Sequence, residues 1–120
     1  MNAINRAVSL HPYFKVHPGN MSAARALLRE FVTQTAREEQ MLYYEFTVNG
    51  DEVFCREAYT SADGALAHLT NVGPLLDKML TLSELTRLEI HGPSEELAKL
   101  EEPLGKLNPA WFVYECGVHR

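Results

Sequence analysis

Glu57, Tyr59 and His68 are the residues whose types and spacing could support acid–base chemistry. A neutral imidazole accepts a proton readily near pH 7, so His68 is a candidate base. Glu57 and Tyr59 are two residues apart, and on a strand this spacing places both side chains on the same face as Cys55. A pocket there would contain a carboxyl group and a phenol donor. The alternative is structural: His68 is a partly exposed helical residue with local hydrogen bonds, and Glu57 and Tyr59 satisfy each other or a backbone group.

Five stretches of alternating hydrophobic residues predict the strands that would carry these groups. In the first, Pro12 requires either a bulge or a position whose missing N–H faces away from a neighbour. In the second, alternation places Leu42 with Tyr44 and Phe46 on one face. Asn49 and Gly50 then predict a tight hairpin. The predicted strands are 7–16, 41–48, 52–59, 86–91 and 110–117.

Apolar residues at steps of three and four predict the helices. The first follows Asn20 and spans about sixteen residues from Met21. The second is capped by Ser61 and contains His68, and Gly73-Pro74 is expected to break it before a short helix at 75–80. The third is capped by Ser94, carries its core leucines up to Leu107, and is kinked or restarted at Pro103.

The order of these elements is close to the split βαβ arrangement of ferredoxin-like domains, so an α+β fold with helices on one face of an antiparallel sheet is expected. The other face would then expose several large rings among charged residues, which is costly in water. A homodimer formed sheet against sheet would bury them. The predicted interface residues are Tyr13, Met41, Tyr43, Phe54 and Trp111.

Length and composition limit the remaining choices. The 120 residues suffice for one domain, residues 1–120, with a core at about 7–91 and an appended α-β unit at about 92–118. The net charge of −5, without a basic cluster, argues against nucleic acid as a partner. The N-terminal residues show no signal peptide and no apolar run could cross a bilayer, so we expect a cytoplasmic protein without a membrane partner.

Other sites of chemistry are not indicated by the sequence. Phosphate loops, serine-hydrolase elbows and zinc-protease motifs are all missing from it. Cys55 and Cys116 have no metal-binding spacing, and two reduced, buried thiols are expected. His11 and His91 would be neighbours if the first and fourth strands pair, but the spacing supplies no third metal ligand, so a hydrogen-bond network is expected there.

Several segments together resemble the antibiotic biosynthesis monooxygenase family. They are His17-Pro18-Gly19 before an amphipathic helix, Met41 to Phe46, the hairpin, Glu57-Ala58-Tyr59, and the helix from Ala65 to Leu69, and the resemblance covers roughly residues 8–80. It implies a dimeric α/β barrel and, for some members, cofactor-independent oxygenation of quinols and polycyclic phenols.

This resemblance implies a pocket between helix and sheet in which His68 deprotonates a phenol or quinol, with Tyr59 and Glu57 beside it and no cofactor or metal. The resulting anion would reduce dioxygen directly and then be oxygenated. The alternative is a non-catalytic dimer that binds a hydrophobic or aromatic small molecule or regulates a partner. Two departures leave the substrate open: Tyr59 stands where the family commonly has Trp, and the appended unit extends the usual domain. The only tryptophan, Trp111, lies in that unit, which disfavours the haem-degrading branch.

Overall fold

The structure is a computed structural model that describes residues 6–120. Its elements are β1 (Val8–Val16), α1 (Met21–Thr35), β2 (Met41–Asn49), β3 (Glu52–Tyr59), α2 (Ala62–Leu82), β4 (Ser83–Gly92), α3 (Ser94–Leu104) and β5 (Ala110–Val113). A 3-10 helix at Gly105–Leu107 joins α3 to β5. The N-terminal segment in which no signal peptide was expected includes residues 1–5, which lie outside the described residues. No helix in the described part is both long and apolar enough to cross a bilayer.

The five strands form one sheet in the order β2-β3-β1-β4-β5. All pairs are antiparallel except β4 with β5, which is parallel. Apolar residues of all three helices pack on the face of the sheet that carries Val8, Leu10, Phe14 and Val16. This arrangement confirms the predicted α+β, ferredoxin-like fold with helices on one face.

Pro12 does not disturb the alternation of β1. The register of β1 against β4 shifts between Tyr13 and Phe14, and the extra residue, Thr86, belongs to β4. Its hydroxyl donates to the Tyr13 carbonyl at 3.2 Å. On the β3 side, the paired residues stop at Leu10 and resume at Tyr13, so the missing N–H of Pro12 lies where the ladder is already open.

The start of β2 differs from the prediction because it contains a bulge. Met41 pairs with Tyr59 but Tyr43 pairs with Ala58, which leaves Leu42 as the extra residue. Met41 therefore packs against the core while Leu42 is exposed. The sequence placed Leu42 on the face covered by the helices and Met41 on the face without helices, the open face, and both placements were wrong.

The prediction that Trp111 lies on the open face was also wrong. It pairs with Ile90, whose side chain is fully buried, and packs against the same core cluster. The open face instead gains Phe112, which stacks on His91 with ring centroids 4.5 Å apart. Tyr13 and Phe54 are there as predicted, with centroids 4.7 Å apart.

The predicted break of α2 at Gly73-Pro74 is wrong, since the helix continues to Leu82. Pro74 has no N–H to donate to the carbonyl of Thr70, four residues earlier. Both residues are exposed, so that carbonyl lies on the solvent side of the helix. On the opposite side Val72, Leu75 and Met79 are buried in one cluster. Burial of residues both before and after the proline keeps the helix continuous.

The helix caps differ from the predictions as well. Ser61 and Pro93 occupy the N-cap positions of α2 and α3, and neither forms a side-chain cap; Ser94 is already the first residue of α3. The first N–H of α2, at Ala62, donates instead to the buried carboxylate of Glu96 at 2.9 Å. Pro103 lies inside α3 just before its end, and the last strand stops at Val113 rather than at 117.

Candidate active site

His68 is directed from α2 towards the sheet and is only 2% exposed, so the structural alternative was wrong in making it a partly exposed residue. Its Nδ1 lies 2.8 Å from Oε2 of Glu38. An ionised carboxylate can only accept, so Nδ1 carries the proton in this contact. The other ring nitrogen, Nε2, is thereby left as the acceptor in the neutral imidazole.

Glu38 is positioned by a clamp between the end of α1 and α2. The side chain of Asn71 donates to Glu38 Oε2 at 2.8 Å and to the Gln34 carbonyl at 3.1 Å. The Gln34 amide returns a bond to the Asn71 carbonyl at 2.8 Å. Oε1 of Glu38 is buried and has no partner among the described residues. Because the clamp holds Glu38, it also fixes the orientation of His68.

Glu57 and Tyr59 both point from β3 to the helix side, as their spacing predicts. The Tyr59 hydroxyl donates to Glu57 Oε1 at 2.6 Å, and that oxygen lies 3.4 Å from Nε2 of His68. Burial raises the pKa of Glu57, an effect that the nearby His68 partly offsets. Burial, reinforced by the charge of Glu57, raises the pKa of Tyr59, so its phenol keeps the proton that it donates.

Tyr44 and Cys55 complete the polar part of the site. The centroids of the Tyr44 and His68 rings are 5.0 Å apart. Burial raises the pKa of both the Tyr44 phenol and the Cys55 thiol, which therefore stay protonated. Cys55 is buried as predicted, whereas Cys116 is exposed, so the prediction of two buried thiols was wrong for Cys116.

These polar groups line one cavity of about 60 Å³ between the sheet and the helices. Glu57 and His68 are both among its lining residues, together with Tyr44 and Cys55, and the remaining lining residues are apolar. Tyr59 is fully buried behind Glu57 and does not line the cavity. The structure thus brings the three predicted residues together but lets Tyr59 act only through Glu57.

Sequence reasoning missed Glu38, Asn71 and Tyr44. Glu38 lies in a polar segment between α1 and β2, thirty residues before His68, and such a segment is typical of a solvated loop. Asn71 carried a usable signal, because it follows His68 by three residues and so shares its face of the helix. Tyr44 was predicted only as an apolar residue of the strand.

His11 and His91 are neighbours on the open face, as predicted, with ring centroids 4.7 Å apart. His11 Nε2 lies 2.9 Å from the Ser9 hydroxyl, and His91 Nε2 lies 3.1 Å from Glu89 Oε1. Within residues 6–120 no group of three or more His, Cys, Asp or Glu residues is arranged to hold a metal ion. The two histidines contact each other through their rings and each hydrogen-bonds to a different residue, so they are neighbours as predicted but do not share one hydrogen-bond network.

Several proteins of known structure share this fold. MupZ from Pseudomonas fluorescens superposes with a TM-score of 0.92 and 38% identity, covering 97% of this chain and 96% of its own. Rv0793 from Mycobacterium tuberculosis gives a TM-score of 0.65 and 26% identity over 72% of this chain and 94% of its own.

An antibiotic biosynthesis monooxygenase gives a TM-score of 0.62 and 15% identity over 69% of this chain and 92% of its own, a likeness of fold alone. No family model matches the sequence. No curated protein matches it either. The structural likeness along nearly the whole chain agrees with the resemblance found in the sequence, and the chain belongs to the antibiotic biosynthesis monooxygenase family.

Proposed function

We propose that the protein is a cofactor-independent monooxygenase that oxidises a quinol, phenol or similar aromatic small molecule. The observation that carries this proposal is the orientation of His68. Its Nδ1 is held by Glu38, and the imidazole lines a cavity whose other walls are almost entirely apolar. A base held in an apolar, water-poor site is suited to removing a proton from a weakly acidic hydroxyl.

Nε2 of His68 accepts the hydroxyl proton of the substrate. Glu38 stabilises the imidazolium that forms, as the acidic partner of a catalytic histidine does in general. Glu57 lies beside the same nitrogen, and its raised pKa suits it to exchange a proton closer to neutral pH than an ordinary carboxyl group. Tyr59 keeps Glu57 in place, and we assign it a positioning role.

The substrate itself supplies the electrons for oxygen. The phenolate gives one electron to dioxygen, and the resulting radical and superoxide combine at a ring carbon that bears hydrogen. The imidazolium returns its proton to this peroxide, which then loses water: the O–O bond breaks, the carbon loses its hydrogen, and one oxygen atom stays as a carbonyl. A phenol and one O₂ thus give a quinone and one H₂O.

We also propose that the protein is a homodimer formed through the open face of the sheet. Tyr13, Phe54 and Phe112 lie on this face together with oppositely charged neighbours, among them the Arg56–Glu45 pair at 2.9 Å. A two-fold axis brings such a patch onto a copy of itself, and a patch with rings and both signs of charge can be self-complementary.

The experiment is oxygen uptake by the purified protein over a panel of quinols, catechols and polycyclic phenols. His68→Ala is expected to lower turnover by about 10²- to 10⁴-fold, the usual contribution of a general base. His17→Ala, at an exposed loop histidine, is the matched control and should leave turnover unchanged. Circular dichroism and sedimentation would show that both variants keep the fold. Equal turnover by His68→Ala and the wild type would contradict the proposal.

A second candidate function is binding without chemistry. It is favoured by the fact that His68, Glu38, Glu57 and Tyr59 already contact one another, as buried polar groups do in purely structural networks. A thermal-shift screen distinguishes the two, since a ligand at a hundred times its Kd stabilises the fold by about 2.7 kcal/mol. Stabilisation by a phenol without oxygen uptake under air would support the binding protein.

A further inference from the structure

The C-terminal unit, residues 94–113, forms one end of the cavity. Leu104 and Leu107 of this unit line the same cavity as Glu57 and His68. Leu104 is buried, whereas Leu107 is 39% exposed, more than any other lining residue. Leu107 therefore reaches both the cavity lining and the protein surface, beside the 3-10 helix at Gly105–Leu107.

The C-terminal unit is firmly packed against the rest of the fold up to the point where it meets the cavity. Leu97 and Leu100 are buried in the same cluster as Val8 and Ile90. Glu96 accepts a bond from the first N–H of α2 at 2.9 Å, and β5 pairs with β4. The unit is thus a built part of the cavity rather than a tail that happens to lie on it.

The cavity is polar at one end only. Glu57 lies on β3, and the lining then crosses β1 to Leu85 and Leu88 on β4 and ends at Leu107. Two strand spacings separate β3 from β4, which is roughly 10 Å. Apart from Tyr44, Cys55, Glu57 and His68, every lining residue is apolar. A polar atom of a ligand placed near Leu88 or Leu104 would therefore lose its water without gaining a partner.

The width of the cavity adds a second constraint. Sites preformed for drug-sized ligands usually measure about 300–1,000 Å³, and this cavity, of about 60 Å³, is far smaller. A ligand must widen it, and a slender chain between leucine side chains requires less movement than a second or third fused ring. Leu107 is the most exposed of the lining residues, so moving it disrupts the least packing.

We propose that the ligand of this site is an amphiphile: a phenol or quinol head at Glu57 and His68, and a flexible apolar tail that runs under β4 to Leu107. This assignment rests on the proposed function for the head group, and it makes the C-terminal unit the part of the chain that selects substrates by their tails.

A chain-length series tests the tail directly. Binding of 4-alkylphenols, from methyl to dodecyl, is measured by calorimetry under argon so that turnover cannot interfere. Affinity is expected to rise about fourfold per methylene while the tail is being buried, and to level off once it passes Leu107. 1-Naphthol and 2-anthrol, which extend the ring instead, should bind less tightly than alkylphenols of similar apolar area. Affinity that is independent of chain length, or no binding by any alkylphenol, would overturn the proposal.

Leu107→Trp places a bulky ring at the proposed opening. It is expected to weaken the octyl and longer phenols at least tenfold while leaving 4-methylphenol unchanged. Leu80→Trp is the matched control, because Leu80 is 41% exposed on α2 and does not line the cavity. Equal effects of the two variants on the long phenols, or equal effects of Leu107→Trp on long and short phenols, would contradict a tail site at Leu107.

The binding series and the oxygen assay fail independently. If the chain-length dependence and the Leu107→Trp effect appear but no phenol supports oxygen uptake, the tail site stands and the monooxygenase activity does not. If oxygen uptake occurs with simple quinols and alkyl tails make no difference, the activity stands and the tail site is wrong.

Discussion

Nδ1 of His68, on α2, lies 2.8 Å from Oε2 of Glu38, in the segment that joins α1 to β2. Asn71 donates to the same carboxylate oxygen from the next turn of α2. The Nδ1 side of the candidate base is therefore oriented from α2 and the α1–β2 segment, and not from the strand that carries Glu57. Glu57 contacts the opposite ring nitrogen, so the imidazole lies between two carboxyl groups with different surroundings.

The first prediction concerns the charge of Glu38. Glu38→Gln keeps the size of the side chain and removes its charge, so the imidazolium formed during the reaction loses its counter-ion. We expect kcat for oxygen uptake to fall roughly tenfold or more, with a much smaller change in KM. Glu39→Gln, at an exposed neighbouring position, is the control and should retain full activity. A wild-type kcat in Glu38→Gln would show that the contact is only structural.

The second prediction is the pH dependence of stability that arises from Glu57. Burial raises its pKa above the ordinary 4.5, so the folded protein keeps this proton at a pH where the unfolded chain has lost it. The contribution to stability is complete below pH 4.5 and is lost as the pH rises through the folded-state pKa. Glu57→Gln cannot ionise and lacks this loss.

Urea denaturation at a series of pH values checks this sign. The difference in unfolding free energy, wild type minus Glu57→Gln, should decrease as the pH rises from 4.5. Glu84→Gln, at an exposed position of β4, is the control whose difference from the wild type should lack this decrease. A difference that grows with pH would mean that the carboxylate, not the acid, is the form that the folded protein prefers.

The elements of the fold could be predicted well where tertiary packing did not override the local sequence pattern. The alternation of β1 survives Pro12 because the bulge is placed in β4, and Gly50, with its φ of 63°, forms the predicted hairpin turn. The bulge at Leu42 has no such signal, since the stretch alternates equally well in either register. Pro74 misled the prediction of α2 because tertiary burial outweighs one missing hydrogen bond.

The candidate site was predictable only where its contacts are local in sequence. Glu57 and Tyr59 share a face through strand geometry alone, and their hydrogen bond follows from that. The partner of His68 could not be predicted, because the contact with Glu38 spans thirty residues and depends on how α1 packs on α2. The link from Glu96 to Ala62 spans thirty-four residues and is unpredictable in the same way.

The third prediction tests this link between the C-terminal unit and α2. The N–H of Ala62 and the neighbouring Lys99 and Arg6 lower the pKa of Glu96, so its charge stabilises the fold above the ordinary 4.5 and that stabilisation is lost as the pH falls through the folded-state pKa. Glu96→Gln should cost about 1 kcal/mol at pH 7, as loss of a helix cap does.

Thermal unfolding at several pH values provides the measurement. The cost of Glu96→Gln should shrink towards low pH, where the wild-type carboxyl group is also neutral. Glu95→Gln, at an exposed position in the same first turn of α3, is the control and should show a smaller cost. A cost that persists unchanged at pH 2 would assign the effect to packing rather than to the charge.

The fourth prediction concerns the open face of the sheet. Tyr13 and Phe54 pair across β1 and β3 with ring centroids 4.7 Å apart, and a dimer formed through this face would bury both. Replacing both by glutamate places like charges at the centre of the proposed interface, where they would lose water without partners. We expect monomers or insoluble protein, whereas the wild type should sediment as two copies of the 13.6 kDa chain.

The control for this prediction uses the helix side of the molecule. Val32 on α1 and Leu80 on α2 are exposed apolar residues, 45% and 41% exposed. Replacing both by glutamate adds the same charge away from the proposed interface and should leave the dimer intact. If the wild type sediments as a monomer, or if the Tyr13→Glu, Phe54→Glu variant stays dimeric, the rings of the open face do not form the interface. In that case the pairing of Tyr13 with Phe54 contributes only to the stability of one sheet, as cross-strand aromatic pairs do.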